Sequence, residues 1–270
     1  MQDQFSLKDK VVIVTGATGV LGHGFINSIA QAGGIVGVMG RNEEVANART
    51  VEIIANGGQA VALIADVTNE SQLVAARDKM LTQFGHIDGL VNGAGGNRPG
   101  GVVQPADDIF KLNMDGLKEV MDLNLMGTLI PTQIFGPELV KSKGSIVNIS
   151  SVSAQRALTR VLGYSLAKSA IDSYTKWFAV ELANRYGDAV RMNAIVPGFF
   201  LTEQNRTLLT NEDGSFTDRG NTIIRQTPFN RFGQADELTG CLTWLLSDGS
   251  KFVTGTIINI DGGFGAFSGV

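Results

Sequence analysis

Short apolar segments rich in valine and isoleucine recur along the chain, separated by segments with helical periodicity. Most of the apolar segments lack the alternation of a half-exposed strand, which is typical of strands covered on both faces. We predict strands at 10–14, 34–39, 60–65, 89–95, 145–150, 190–198 and 256–263, and helices at 20–32, 42–56, 69–84, 115–140, 163–186 and 235–247. This alternation predicts an α/β fold with a doubly wound, seven-stranded, mostly parallel sheet flanked by helices.

One segment breaks the alternation. Residues 199–226 are polar, contain an Asp-Gly pair and lie between the last two predicted strands. A long insertion in a compact chain is usually a functional lid or binding loop, and a disordered segment is the alternative. We therefore predict one domain over residues 1–270, with a substrate loop or lid at about 199–226.

Composition narrows the class of partner. The 270-residue chain is 43% hydrophobic and 18% charged, with a net charge of −4, which is ordinary for a globular protein. Its lysines and arginines are dispersed, which argues against nucleic acid or an anionic membrane surface as a partner. No apolar run reaches the roughly 20 residues that span a bilayer. The first ten residues show no secretory signal, so we expect a cytoplasmic protein.

The metal-binding residue types are scarce. Cys241 is the single cysteine, and His23 and His86 are the two histidines. One cysteine permits no internal disulfide, which agrees with a reducing cytoplasm. Too few soft ligands remain for a zinc site, and no metal site is expected.

The first strand is followed by the glycine-rich stretch TGATGVLG at 15–22. Glycine lets the backbone approach a pyrophosphate closely, and the next helix offers free N–H groups to it. Val20 is β-branched and disfavours positive φ, so Gly16 and Gly19 are predicted to supply the permissive backbone. Gly19→Val should then weaken cofactor binding more than Val20→Gly. A tight βα turn without a ligand is the alternative.

The end of the second strand bears on the type of dinucleotide. An NAD-preferring site usually has Asp or Glu about 20 residues after the glycine loop, but Gly40 and Arg41 stand there. A guanidinium can pair with a 2′-phosphate, so Arg41 favours NADP(H), with NAD(H) as the second possibility. The alternative is a surface arginine neutralised by Glu43 and Glu44. After the third strand, Asp66 suits the amino group of adenine.

A possible catalytic set lies in the middle of the chain. The fifth strand ends in Ser150-Ser151, and Tyr164 and Lys168 follow four residues apart on one predicted helix face. A nearby ammonium can lower the pKa of a phenol, which makes proton exchange with an alcohol or carbonyl feasible. Asn124 could keep a water or backbone contact near the lysine. An amphipathic helix pair with no chemistry is the alternative for Tyr164 and Lys168.

The whole chain resembles the short-chain dehydrogenase/reductases, which have a Rossmann-type fold. The resemblance rests on TGATGVLG, DVT at 66–68, NGAG at 92–95, Asn124, NISS at 148–151, YSLAK at 164–168 and VPGFFLT at 196–202. It implies an NAD(P)-dependent enzyme acting on a CH–OH group, with Asn124, Ser151, Tyr164 and Lys168 as catalytic tetrad. Val20 in place of a glycine, and Gly93 in place of an asparagine, depart from the family pattern.

The resemblance also implies a set of cofactor contacts. These are Gly16, Thr18, Gly19, Val20, Leu21, Arg41, Asp66, Val67, Asn92, Gly93, Ala94, Gly95, Tyr164, Lys168, Pro197, Gly198 and Thr202. The family commonly forms homotetramers through its long helices, so a homo-oligomer is expected. Burial in the core explains the same apolar helix positions equally well.

The C-terminal third resembles one group within that superfamily. GFFLTEQNRTLLTNEDGSFTDRG, TPFNRFG and DGGFGAFSGV are similar to the fructuronate reductases (D-mannonate oxidoreductases). This implies interconversion of a keto sugar acid and its hydroxy acid, D-fructuronate and D-mannonate. Gluconate 5-dehydrogenase and 3-oxoacyl thioester reductase activities are the alternatives in the same fold. A dinucleotide-binding regulator that has lost catalysis is the alternative of another class.

A sugar acid also needs cations or N–H donors for its carboxylate. Polar and arginine side chains that could line such a site are Asn97, Arg98, Arg156, Arg160, Gln204 and Arg206. Any single one of these arginines could equally be a solvated surface charge. The set predicts a small polyhydroxy acid better than it predicts a steroid or an acyl chain.

Overall fold

The computed structural model describes residues 4–202, 206 and 208–269. Its strands are β1 (Val11–Thr15), β2 (Ile35–Gly40), β3 (Gln59–Ile64), β4 (Gly89–Asn92), β5 (Ser145–Ile149), β6 (Arg191–Pro197) and β7 (Ile257–Ile260). They form one seven-stranded sheet in the order β3-β2-β1-β4-β5-β6-β7. Every strand pair in it is parallel. The predicted fold class is confirmed, and assignment of the whole chain to one domain stays a prediction.

Helices cover both faces of this sheet. They are α1 (Val20–Gln31), α2 (Glu43–Ala55), α3 (Glu70–Phe84), α4 (Met114–Met121), α5 (Gly127–Ser142), α6 (Leu162–Tyr186), α7 (Asp218–Gln226) and α8 (Thr239–Leu246). Alternate residues of β1 enter opposite cores. Val12 and Val14 pack with Phe25 of α1 and Leu242 of α8, whereas Val11 and Ile13 pack with residues of α3, α5 and α6. Burial of both faces explains why the strand sequences lack alternation.

The helix predicted at 115–140 is wrong as a continuous α-helix. Asp122–Met126 form a π-helical turn between α4 and α5, and Asn124 lies in it. A π turn carries an extra residue per turn and leaves no periodic signature in so short a segment, and such turns often mark functional sites. The turn places the Asn124 side chain in the interior, where it is fully buried.

The described part of segment 199–226 has a small core of its own. Leu209, Ile223, Ile224 and Phe232 are buried together, with Phe199 and Leu201 packed against them. Thr217 caps α7 by accepting a hydrogen bond from the Gly220 N–H at 3.1 Å. The segment is therefore folded over its described residues, and its role as a substrate lid stays a prediction.

Membrane and metal features were searched over the same described residues. None of the helices there is long and apolar enough to cross a bilayer. Within that part of the chain, no group of three or more histidine, cysteine or acidic side chains is placed to hold a metal ion.

Candidate active site

A cleft opens at the carboxyl ends of the strands, where the order of the sheet reverses between β1 and β4. Such a switch point is where open α/β sheets bind ligands. The cavity has a volume of about 370 Å³. Of the predicted cofactor contacts, it is lined by Gly16, Thr18, Gly19, Val20, Leu21, Arg41, Asp66, Val67, Gly93, Ala94, Gly95 and Thr202. The predicted set of contacts did not include Met39, Ala65, Gly96 and Leu123, which also line it, as do Gly22 of the glycine loop and Gly40 at the end of β2.

The glycine loop depends on Gly16. This residue has φ +68°, and a Cβ on it would lie 2.7 Å from the Ala94 nitrogen. Thr15 Oγ1 ties the same two segments together by accepting hydrogen bonds from the N–H groups of Gly93 and Ala94, each at 3.1 Å. Gly19 instead has φ −83°, which any residue adopts. The expectation that Gly19 supplies positive φ is wrong, because it is the extended residue before α1.

The start of α1 fits a pyrophosphate. No side chain caps it, whereas Asn42, Asn69 and Asn113 cap α2, α3 and α4. Val20 and Leu21 of its first turn line the cleft, and uncapped N–H groups at a helix start favour anions. Arg49 of α2 donates to the carbonyl groups of Ala17 and Gly19 and braces the loop from outside. One arginine on an amphipathic helix carries no sequence signal for that role.

The opposite end of the cleft is formed by Gly40, Arg41 and Asp66. Arg41 Nη1 lies 3.6 Å from Asp66 Oδ2, and the arginine side chain is 59% exposed. Burial raises the pKa of Asp66, but hydrogen bonds from Thr68 and the Arg41 charge outweigh it and hold that pKa below its usual value. A carboxylate thus persists where adenine binding was predicted. An exposed ion pair of this length is weak, so Arg41 is available to another anion.

Asn92 does not line the cleft. Its side chain is buried, and its Nδ2 donates to Thr132 Oγ1 at 3.0 Å and to Asn148 Oδ1 at 2.8 Å. Asn148 in turn donates to Thr175 at 2.9 Å. These bonds join β4 and β5 to α5 and α6. The Asn92 side chain therefore has a structural role in place of the predicted contact with the cofactor.

Ser151 and Tyr164 meet at the carboxyl end of β5. Ser151 begins a short 3₁₀ turn and Tyr164 lies in the first turn of α6, and their side chains are close enough to interact. Burial raises the pKa of Tyr164, while the interaction with Ser151 lowers it by less. The expectation that Lys168 lowers this pKa is not met in the structure. The phenol therefore stays protonated at neutral pH and can donate a proton.

Lys168 lies one turn further along α6 and is buried. Its Nζ donates to the Ile149 carbonyl at 2.7 Å and lies 5.4 Å from the centre of the Tyr164 ring. Burial lowers its pKa to about 8, although the Asp172 charge raises it. The side chain is thus a cation at neutral pH that is close to its titration point.

Asn124 and Lys168 converge on Gly95. A Cβ on Gly95 would lie 2.6 Å from Asn124 Oδ1 and 3.3 Å from Lys168 Nζ. Asn124 Oδ1 accepts from the Gly96 N–H at 2.9 Å and Nδ2 donates to the Gly96 carbonyl at 2.8 Å. The backbone contact predicted for Asn124 is present, and it fixes the β4–α4 loop beside the lysine.

Comparison with known proteins agrees with this geometry. A family profile described as enoyl-(acyl carrier protein) reductase, one branch of the short-chain dehydrogenases, matches residues 16–265. The chain belongs to the short-chain dehydrogenase/reductases. The predicted family and the predicted enzyme class, an NAD(P)-dependent oxidoreductase, are thereby confirmed.

Three relatives place this dehydrogenase more closely. It is 41% identical to uncharacterized oxidoreductase UxuB of Bacillus subtilis (strain 168), with 98% of each chain covered. A Haemophilus influenzae protein solved with bound NAD, described as a candidate D-mannonate oxidoreductase, is 38% identical with a TM-score of 0.91 over 98% of each chain. A gluconate 5-dehydrogenase from Burkholderia cenocepacia J2315, solved with NADP and tartrate, is 31% identical with a TM-score of 0.86, again over 98% of each.

The PG motif of this dehydrogenase lies at the carboxyl end of β6. Pro197 ends β6, and the Gly198 N–H donates to the Ile260 carbonyl at 2.9 Å. A Cβ on Gly198 would lie 2.6 Å from the Asp261 Cα, so glycine is required for this close approach. Thr202 lines the cleft itself.

The predicted substrate residues divide into three groups. Asn97 and Arg98 line the cleft. Arg156 is engaged elsewhere, since its Nε donates to the Gly265 carbonyl at 2.9 Å and holds the C-terminal segment. Arg160 bonds to Gln104 beside the cleft loop, and Arg206 is exposed. Gln204 lies outside the described residues.

Proposed function

We propose that this dehydrogenase reduces D-fructuronate to D-mannonate, reversibly, with NADPH as the preferred cofactor and NADH as the second. One observation carries the substrate class: several buried polar atoms without partners belong to the cleft or to the segment that holds Ser151 and Tyr164. Ser153 Oγ, Arg160 Nε and Ser165 Oγ are such atoms, and Asn97 Oδ1 is another at the cleft. Unpaired buried polar atoms are costly, so they favour a ligand rich in hydroxyl and carboxylate groups.

The proposed chemistry uses the three side chains at the end of β5 and in α6. The nicotinamide cofactor supplies the hydride when bound. Ser151 polarises the keto oxygen by a hydrogen bond, and the Tyr164 phenol protonates the alkoxide that develops there. Lys168 holds positive charge beneath this site and binds the ribose. Asn124 keeps the Gly95–Gly96 backbone in place and supports the proton-relay water.

Support for the substrate comes from two directions. The lid and C-terminal motifs are similar to those of fructuronate reductases, and the Haemophilus influenzae neighbour carries the corresponding description. The gluconate 5-dehydrogenase neighbour makes 5-keto-D-gluconate the second candidate substrate, and that neighbour was solved with tartrate, a hydroxy acid. A 3-oxoacyl thioester lacks the hydroxyl groups that would pair with the orphan atoms.

Initial rates on D-fructuronate with NADPH and with NADH test the proposal. The panel includes 5-keto-D-gluconate and acetoacetyl thioester as matched competitors. We expect the highest kcat/KM on D-fructuronate. A zero rate on every uronate and keto acid, with cofactor still bound, would favour the non-catalytic regulator and end the proposal.

The dehydrogenase is further proposed to work in the cytoplasm as a homotetramer. Exposed apolar side chains on α6, including Leu166, Trp177 and Val180, support an assembly interface there. Light scattering on the purified protein measures the subunit number directly, and a monomeric mass would rule this assembly out.

A further inference from the structure

Arg219 contacts the loop that carries Arg160, which lies just before the catalytic tyrosine in the chain. Arg160 lies four residues before Tyr164, in the loop between Ser151 and α6. Arg219 lies in the first turn of α7, in the segment predicted to be a lid. Its Nη1 lies 3.4 Å from Thr159 Oγ1, the hydroxyl next to Arg160 in the chain. This hydrogen bond joins α7 to the loop that runs from Ser151 to the start of α6.

Arg160 is held in an unfavourable backbone conformation. Its φ is +78°, a region that arginine rarely occupies. The Val103 N–H donates to its carbonyl at 2.9 Å, and its Nη2 donates to Gln104. The loop after β4, whose residues Asn97 and Arg98 line the cleft, therefore fixes Arg160 in position. Strain kept in a loop next to a catalytic site favours a functional reason for it.

Neither guanidinium group has an acidic partner within the described part of the chain. Over the described residues, no salt bridge involves either of them, and Asp218 beside Arg219 forms none with it. Arg160 Nε is buried without a partner. Burial and the nearby Arg160 charge both lower the pKa of Arg219. Two half-buried like charges repel each other, and an anion between them would remove that repulsion.

We propose that Arg160 and Arg219 form a clamp for the substrate carboxylate, which draws the N-terminus of α7 onto the catalytic loop. The proposal rests on the proposed function, and it assigns the carboxylate end of the sugar acid to two named residues. Guanidinium groups suit a carboxylate because their paired N–H donors match its two oxygens. Thr159 Oγ1 accepts a hydrogen bond from Arg219 and so holds this guanidinium next to the loop that carries Arg160. Arg219 was not among the arginines predicted from the sequence to bind the substrate.

A pair of sugars isolates the contribution of the carboxylate. D-Fructuronate and D-fructose share the keto group and the hydroxyl groups, and differ at the far end in a carboxylate against a CH₂OH group. The experiment measures kcat/KM on both for wild type, Arg219→Gln, Arg219→Lys and Arg160→Gln, with NADPH. Arg225→Gln serves as matched control, since Arg225 is an exposed arginine in the last turn of the same helix.

Arg219→Gln and Arg160→Gln are each expected to lower kcat/KM on D-fructuronate about 10- to 100-fold, mainly through KM, as for loss of a charge-assisted hydrogen bond. Arg219→Lys should recover part of the loss, and Arg225→Gln should match wild type. The rate on D-fructose, measured at high enzyme concentration, should not fall in the clamp variants. Thermal unfolding and NADPH affinity close to wild type show that the variants are folded.

The outcomes separate the two proposals. If wild type reduces D-fructuronate and the clamp variants lose no more kcat/KM than Arg225→Gln does, the clamp alone is overturned. An equal loss on both sugars would also overturn it, because the effect would not depend on the carboxylate. Wild type inactive on every keto sugar acid would overturn the proposed function and the clamp together.

Discussion

The side chain of Thr18 occupies the space that any side chain on Gly40 would need. A Cβ on Gly40 would lie 2.5 Å from Thr18 Cγ2 and 2.7 Å from Thr18 Oγ1. Gly40 stands where NAD-specific sites usually place an acidic residue at the ribose. The structure thus gives a steric reason for the absence of an acidic residue at position 40. The charge of Arg41, which favours a 2′-phosphate, is the electrostatic reason.

This relationship predicts a measurable coupling. Gly40→Ala should destabilise the protein by about 1–3 kcal/mol, as overpacking does, and lower its cofactor affinity. Thr18→Ala removes both close atoms, so the double variant should recover most of the lost stability. Urea unfolding of wild type, the two single variants and the double variant gives the coupling free energy between positions 18 and 40. Additive effects, with no coupling beyond about 0.5 kcal/mol, would contradict the steric account.

Arg41 should set the cofactor preference. We expect Arg41→Gln to lower kcat/KM for NADPH by about tenfold or more, because one charge-assisted contact to the 2′-phosphate is lost. The value for NADH should change little. Arg77→Gln is a suitable control, since Arg77 forms an ion pair with Asp78 on α3. An equal loss with both cofactors would remove Arg41 from phosphate recognition.

Tyr164→Phe tests the proton donor. It removes only the phenolic oxygen, and turnover should fall by about two to four orders of magnitude or more. NADPH should still bind, because the glycine loop is untouched, and fluorescence titration measures that binding. Turnover within a few fold of wild type would show that another group transfers the proton.

The pH dependence of the reduction should report Lys168. Its pKa of about 8 means that the ammonium is present below that pH and is lost above it. The raised pKa of Tyr164 keeps the phenol protonated throughout. We therefore expect kcat/KM for the keto acid to be level near pH 7 and to decline above about pH 8. A profile that stays level to pH 10 would contradict this role of the lysine.

The structure separates Gly16 from Gly19, which the sequence alone treated alike. Gly16→Ala should weaken cofactor binding and lower the melting temperature strongly, because positive φ and the Ala94 backbone both oppose a side chain. Gly19→Ala should leave the melting temperature nearly unchanged, since its φ is −83°. Cofactor titration and thermal melts of both variants decide the order, and the reverse order would show that the loop geometry is different.

The sequence alone predicted much of the local architecture. The apolar segments at 10–14 and 145–150 became β1 and β5 within one residue at each end, because burial on both faces leaves a continuous apolar run. The four-residue spacing of Tyr164 and Lys168 placed them on one helix face, because that spacing is close to one helical turn. Both signals are local, and neighbours in sequence suffice to read them.

Other features were decided by the tertiary structure. The π turn at Asn124 is too short to leave a periodic pattern in the sequence. The direction of the Asn92 side chain depends on its hydrogen bonds to Thr132 of α5 and Asn148 of β5. The meeting of Arg160 with Arg219 depends on how α7 folds over the strand ends. Sequence patterns determined the seven strands, most of the helices, their order and the identity of the chemistry-bearing residues, but not α7 in the polar insertion. Which side chains from distant segments share one cavity was set by packing and strand order, because contacts between distant residues leave no periodic trace in the chain.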